Sequence, residues 1–401
     1  MQQGVEKVFR GSLILTAFCL LLPFTVVAGL DRIDCFLIGS VAPGQCPLIH
    51  YFTEDPLFTY VADWQPSGLT VEERRKMDRL YYPRSKEIFS EKYDFVFFYD
   101  PRIDHFTTRQ FADLDHVCRK AGMPSFWALS HGSETWYVAS VFEILPISTI
   151  PLEGYYHRPW RVVFREERDP VFTPFISLGM EEVVGHAYAY MEPRLGAVVW
   201  ADVHPGLSAW LASWKVEPTA GMSWVISDEF DIYWWGIAPE TRGDNPYGID
   251  LITNLVLYSM ERPLIHDILT RREARDRISS FNSQKLLVIS MLEWADLFGA
   301  NTLELSEDLS SLNEEVTTAL DHYLDQDYDS AIGAMDRVSL RVGEIGERAV
   351  TLKDQALLWV FTLEWLAVTS TALLTGVVLW TLMVRRRAFK PAGTTRMNPD
   401  Y

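Results

Sequence analysis

The chain has 401 residues, 48% of them hydrophobic and 22% charged, with a formal net charge of −18 at pH 7. That composition excludes a largely disordered chain, and the length suffices for two domains plus anchoring segments. Of the net charge, the tail after Val384 carries +4 and residues 1–29 carry +1, leaving −23 on residues 30–384, which argues against nucleic acid or anionic lipid as partners of that portion.

Lys7 and Arg10 precede an apolar run from Ser12 to Ala28 that exits through Val26, Val27 and Ala28. A positive flank, a short apolar core and small exit residues read as a secretory signal over residues 1–28, with an uncleaved signal anchor as the alternative. Residues 29–46 are read as a short lead. Its Cys35 and Cys46 flank a loop with glycine and proline, and in an oxidising compartment they predict a local disulfide. The nine histidines are scattered without CxxC or HxxxH spacing, so neither a metal site nor a cofactor is expected.

From Pro47 to Ser259 short apolar runs alternate with helical segments. Leu48–Phe52 reads as a strand, and Phe95–Tyr99 has the all-apolar pattern of a strand buried on both faces. Thr107 then caps a helix from Thr108 to Ala121, with Phe111, Leu114, Val117 and Cys118 on one face and Gly122 at its end. A strand over Pro124–Leu129 completes a βαβ unit, for which a right-handed crossover is expected. Further strands are predicted at Arg161–Phe164, Gly196–Val203 and Met222–Ser227, and a closing helix at Tyr247–Ser259 ahead of Pro263. Residues 47–260 therefore read as an α/β domain with a mainly parallel sheet.

Residues 261–356 read as helices with apolar seams. Leu287, Met291, Trp294 and Phe298 form the first; Leu305, Leu309, Leu312, Val316, Ala319 and Tyr323 the second. Met335, Val338, Val342, Ile345, Ala349, Leu352, Ala356 and Trp359 form the third. Steps of three and four give the 3.5-residue period of helices packed side by side. Gly299–Asn301 and Asp325–Asp327 break the pattern into three helices joined by short turns, which predicts an antiparallel bundle or stalk. An intermolecular coiled coil, making a homo- or hetero-oligomer, is the alternative. Tyr328–Ala356 spans about 44 Å as a helix.

Leu357–Val384 is apolar for 28 residues, about 42 Å of helix against a hydrocarbon core of about 30 Å. Arg385, Arg386 and Arg387 follow at once, so residues 385–401 are expected in the cytoplasm and the large portion outside it. The expectation is a single-pass protein of the cell membrane; a buried core helix is the alternative. Glu364 is expected near the outer interface, and Ala372 and Gly376 have the small-xxx-small spacing of helix pairs.

YDFVFFYDP (93–101), the helix headed by Thr107 and MPSFWALSHGSETW (123–136) together resemble the class I glutamine-amidotransferase-like superfamily, particularly its trehalose-utilisation-type membrane relatives. VFEILPI (141–147), RDPVF (168–172), EPRLGAVVWADVHP (192–205), SWKVEPTAGMSWVISDEFDIYWW (213–235) and NPYGIDLITNLVLYSMERP (245–263) are similar to its later elements, in order. The resemblance covers roughly residues 47–260 and implies a flavodoxin-like, three-layer sandwich. The family's nucleophilic cysteine would fall in Leu129–Thr135, where this chain has none, and Cys118 lies on the apolar side of the preceding helix. Glu217–Gly221 also replaces part of a glycine turn. A pseudoenzyme with respect to glutamine hydrolysis is implied.

Ligands of doubly wound sheets bind beyond the carboxyl ends of the strands. Asp100 ends one strand, and Ser130, His131, Ser133 and Glu134 follow another. A serine beside a histidine and an acid suits a nucleophile with its base, whereas Ser133 and Glu134 equally suit the cap and first turn of a helix. Asp228, Glu229 and Asp231 with Trp234 and Trp235 suit a sugar or a cation, or indoles packed on the closing helix. The expected function is a membrane-anchored extracytoplasmic binding or scaffold protein with an unidentified ligand or protein partner. The alternative is an extracytoplasmic hydrolase or carbohydrate-acting enzyme using Asp100, His131 and Glu134.

Overall fold

The computed structural model describes residues 31–389 except 41, 67, 103–104, 130–138, 150–159, 166–170, 180–181, 186–190, 204–207 and 228–246. The chain divides into two units: Met1–Arg275 with Leu320–Asp329, and Asp276–Ala319 with Ser330–Tyr401.

The first unit begins with β1 (Ile33–Gly39), α1 (Pro47–Glu54), β2 (Phe58–Trp64), α2 (Val71–Tyr81), α3 (Lys86–Lys92), β3 (Phe95–Tyr99), α4 (Thr108–Arg119) and β4 (Ser125–Ala128). It continues through β5 (Ile147–Thr149), β6 (Trp160–Phe164), α5 (Thr173–Ile176), β7 (Glu182–Gly185), β8 (Glu192–Pro193), β9 (Val198–Val203), β10 (Ser208–Trp214), β11 (Ser223–Ile226) and α6 (Gly248–Ser259). Among the described residues nine strands form one sheet in the order β2-β1-β3-β4-β11-β10-β9-β6-β7, and β5 pairs with β8. Neighbours from β2 to β11 are parallel; those from β11 to β7 are antiparallel. The class is α/β as expected. The sheet is mixed and mostly parallel in strand direction, with β10 and β6 alone among its described strands running against the others.

Helices cover both faces of the parallel half. On one face Phe36 packs against Tyr82, Phe89 and Tyr93, and Phe98 stacks on Trp127 at 3.5 Å. On the other, Phe52 of α1 packs on Phe58 and Phe97, while Trp224 donates to Ser259 Oγ of α6 at 2.6 Å. The predicted Thr107 cap heads α4, and the structure shows it to be a capping box: Thr107 Oγ accepts from Gln110 N and Gln110 Oε1 accepts from Thr107 N. Gly122 follows that helix at φ +77°, a conformation open to glycine without Cβ strain.

Three expectations change here. Leu48–Phe52 is helical, not a strand: Pro47 sits at the first helical position, where its missing N–H costs nothing, and Leu48, Tyr51 and Phe52 share the buried face. The supposed lead contains β1, buried at six of its seven positions and paired on both sides, so the α/β unit starts at Ile33. Cys35 and Cys46 are free, buried thiols rather than a disulfide. Cys35 is level with Phe95 at the start of β3, whereas Cys46 follows the opposite end of β1, past Gly39. Four strand residues alone separate the two ends by about 13 Å, against the roughly 4.4–6.8 Å between Cα atoms that a disulfide needs.

Helices α7 (Ile268–Leu297), α8 (Leu303–Leu324) and α9 (Tyr328–Phe389) follow. Within the second unit Arg341 and Arg348 of α9 pair with Glu315 and Glu304 of α8, and Lys285 of α7 reaches Asn313 of α8 at 2.8 Å. Arg277 of α7 pairs with Asp336 of α9. The order of these contacts makes α8 antiparallel to both neighbours. The α8 seam is buried at Leu305, Leu309, Leu312 and Ala319, and the α9 seam from Met335 to Ala349 and at Ala356. On α7 the buried stripe is Val288, Leu292 and Ala295, one residue on from the expected one; Leu287 is 58% exposed. Beyond Ala356, α9 is apolar and exposed, with an 18-residue window of mean hydropathy 1.8 and none of that window buried.

Candidate functional site

The strand order reverses between the parallel strands β1 and β3, because one connection leads to β2 on one side and the next to β4 on the other, and this makes their carboxyl ends the topological switch point of the sheet. Gly39 and Tyr99 face each other in the last rung of that pair. A Cβ on Gly39 would lie 2.2 Å from Tyr99 Cδ2 and from its carbonyl oxygen, so only glycine admits this approach. Just beyond, Ser40 Oγ donates to Asp100 Oδ2 at 2.9 Å, and Trp64 Nε1 donates to the Ser40 carbonyl at 3.2 Å. Asp100 is held at φ +49°, the left-handed region that aspartate tolerates better than most side chains. Its own N–H donates to Ala128 O at 3.0 Å, tying it to the end of β4. The predicted site residue Asp100 thus stands at the topological switch of the sheet, with Ser40 as a partner that no local sequence pattern singles out.

Polar groups collect around the same rungs. Asp63, level with Ile38, is 1% exposed, and its carboxyl pKa is pushed up to about 7 by burial and by Asp78, with Gln65 acting in the opposite sense. Asp63 Oδ2, Gln65 Oε1 and the Tyr99 hydroxyl are buried without a hydrogen-bond partner among the described residues. Burial also drives the Tyr99 hydroxyl well above the usual tyrosine range. Such orphans are uncommon in folded proteins and call for a proton, a solvent molecule or a ligand.

Cysteine chemistry has little support here. Cys46 and Cys118 are completely or nearly buried, and burial raises each thiol to about 12. Burial raises Cys35 as well. A thiol in that range is protonated at neutral pH and a poor nucleophile.

Ser130, His131, Ser133, Glu134, Asp228 and Trp234 lie outside the described residues, so of the three residues of the enzyme alternative only Asp100 is described. Leu129 N donates to Ile226 O at 3.2 Å, so the two segments carrying those residues leave the sheet from adjacent strands. Among the described residues no group of three or more histidine, cysteine, aspartate or glutamate side chains is arranged to hold a metal ion. A cavity of about 410 Å³ opens at the other end of the strands, lined by Asp94, Gly122, Met123, Gly221 and Glu261. Another of about 530 Å³ lies beside α2 and α4, lined by Asp78, Tyr82, Thr107, Arg109 and Gln110.

A second buried polar cluster has a different character. Arg271 donates to both Asp250 and Asp55, and Arg275 binds Asp250 through two nitrogens at 2.7 and 3.3 Å. The Tyr323 hydroxyl donates to Asp55 Oδ1 at 3.1 Å. Burial opposes the charge on Asp250, but Arg275 and Arg271 outweigh it and hold the carboxyl below its usual value. The ion pairs saturate one another, and the cluster joins the Asp55 turn to α6 and the start of α7. Its role is structural. Two arginines spaced i, i+4 beside Ile268, Ala274 and Ile278 are the sequence signal for it.

No protein-family model matches the chain, and no curated protein matches its sequence.

Proposed function

We propose that the chain is a single-pass membrane protein whose α/β unit binds a ligand or a protein partner at the carboxyl ends of β1 and β3, without cysteine-dependent catalysis. The observation that carries it is the Ser40–Asp100 hydrogen bond across the switch point, with Asp100 in a left-handed backbone conformation. Strain of this kind clusters at ligand sites, and the orphaned polar atoms of Asp63, Gln65 and Tyr99 lie at the same end of the sheet. The order β2-β1-β3-β4-β11 corresponds to the flavodoxin-like 2-1-3-4-5 arrangement. It supports a degenerate relative of the class I glutamine-amidotransferase-like fold, as do the high thiol pKa values.

Membrane attachment rests on α9. Between Leu358 and Val384 its large apolar side chains, Val360 apart, are half or more exposed, and Glu364 is the one charge before Arg385. A helix apolar on all sides is accommodated by lipid, not by water. On this reading the arginines stay in the cytoplasm and the acidic remainder lies outside it.

Affinity capture of the detergent-solubilised chain, span intact, tests the site. Partners held by the unsubstituted chain should be lost when Asp100→Asn and Ser40→Ala are combined; asparagine tolerates the left-handed backbone, so folding is preserved. Equal capture by both forms sinks the proposed site. Retention of the chain in membranes after an alkaline carbonate wash tests the span.

A further inference from the structure

The turn between α7 and α8 carries exposed apolar side chains at one particular level of the second unit. Leu297, Phe298 and Leu303 are 81%, 39% and 65% exposed, and Trp294 packs on Phe298 with ring centroids 4.4 Å apart. Antiparallel packing brings this turn to the lower part of the α9 seam. Arg348 of α9 pairs with Glu304 and Asp308, and Asn301 and Leu305 share a cavity with Thr351, Leu352 and Gln355. The exposed apolar run of α9 starts at Leu358, three to seven residues further on. At about 1.5 Å per residue, that is about 5–10 Å along the helix axis.

We infer that the α7–α8 turn is a second membrane contact, in which Leu297, Phe298 and Leu303 enter the boundary between headgroups and acyl chains beside the span. The inference rests on the reading of α9 as a membrane span. The polar layer outside each face of the hydrocarbon core is about 5–7 Å deep, which matches the offset between the turn and Leu358. Lipid is therefore the medium already present at that depth, and the turn's apolar surface continues that of α9. Leu286 and Leu287, also exposed, lie about 15 Å further up α7 and outside this layer. Glu293, Asp296 and Glu304 flank the turn, so the contact is apolar in origin and a zwitterionic bilayer suffices.

Nitroxide labels on the full chain in phosphatidylcholine nanodiscs test this. The label sites are Leu297→Cys, Leu303→Cys, Leu340→Cys and Leu366→Cys, all exposed positions, with the unsubstituted chain as the blank for its own thiols. Each label is read by its collisions with oxygen, which partitions into lipid, and with a water-soluble nickel chelate. Labels at 297 and 303 should shift toward oxygen, in the direction shown at 366. The label at 340, about 27 Å before Leu358, should favour nickel. If 297 and 303 behave like 340 while 366 remains in lipid, the inference fails and the span reading stands. If 366 is itself in water, both fail. Shielding of 297 and 303 from both reagents would mean a protein covers the turn, which also overturns the lipid assignment.

Discussion

Asp63 and Asp250 are equally buried, at 1% and 0% exposure, yet they ionise in opposite senses. Asp63 has a carboxamide and another carboxylate near it, and burial lifts its pKa to about 7. Asp250 faces two guanidinium groups that more than repay its desolvation. Burial alone does not set the charge of a carboxyl group; the partner buried with it does. The two regions also differ in completeness, since Asp250 has its acceptors filled whereas Asp63 retains an orphaned oxygen.

The largest expected effect comes from breaking the saturated cluster. Asp250→Asn leaves Arg271 and Arg275 short of a buried counter-charge and should cost about 3–5 kcal/mol, read as a lower denaturation midpoint at pH 7. An Asp250→Asn chain as stable as the parent would remove the contrast altogether.

The pH dependence separates the two carboxyls by sign. The folded state binds the Asp63 proton more tightly than the unfolded chain does. That stabilisation is complete below about pH 4 and is lost as pH rises through about 7, with a slope of at most roughly 1.4 kcal/mol per pH unit in between. Asp63→Asn should flatten this slope in denaturation midpoints measured between pH 5 and 8; an unchanged slope would assign it to other groups. Asp250 runs the other way, since its depressed pKa stabilises the fold above about pH 4 and that contribution fades as pH falls further.

Smaller changes sharpen the comparison. Ser40→Ala removes the hydroxyl from a part-buried Asp100 and should cost about 0.5–1.5 kcal/mol, the usual net worth of one hydrogen bond. Arg348→Ala, in an exposed pair with Glu304 and Asp308, should leave the midpoint essentially unmoved, because solvent already screens those charges.

Local signals are legible where they are strong. The uninterrupted apolar run of β3, the Thr107 cap and Gly122 stop of α4, and the seams of α8 and α9 all stand where residue type and spacing put them. Legibility fails where two patterns compete. Five residues of α1 are too few to tell a strand from a buried helix, and Pro47 is the clue that favours the helix. On α7 two neighbouring stripes satisfy the same period, and the packed one is Val288, Leu292 and Ala295 rather than Leu287, Met291 and Trp294. β2 and β10 are not legible because they carry mixed residues that become strands through their neighbours. For the candidate site, Asp100 is legible as the acid that ends β3, whereas Ser40 is not, because it is sixty positions away.

Residue order alone therefore determined the α/β character, the heptad-patterned helices and the long apolar helix of α9 closed by arginines. Each depends on periodicity, caps or run length, which are properties of neighbours in the chain. Only the tertiary structure decided that β1 belongs to the interior of the sheet, that Cys35 and Cys46 sit at opposite ends of that strand, and that Ser40 meets Asp100. The same holds for Asp55, Asp250 and the two arginines. These are contacts between residues far apart in the chain, and their energies depend on burial and on which partner is buried beside them, which no local pattern encodes.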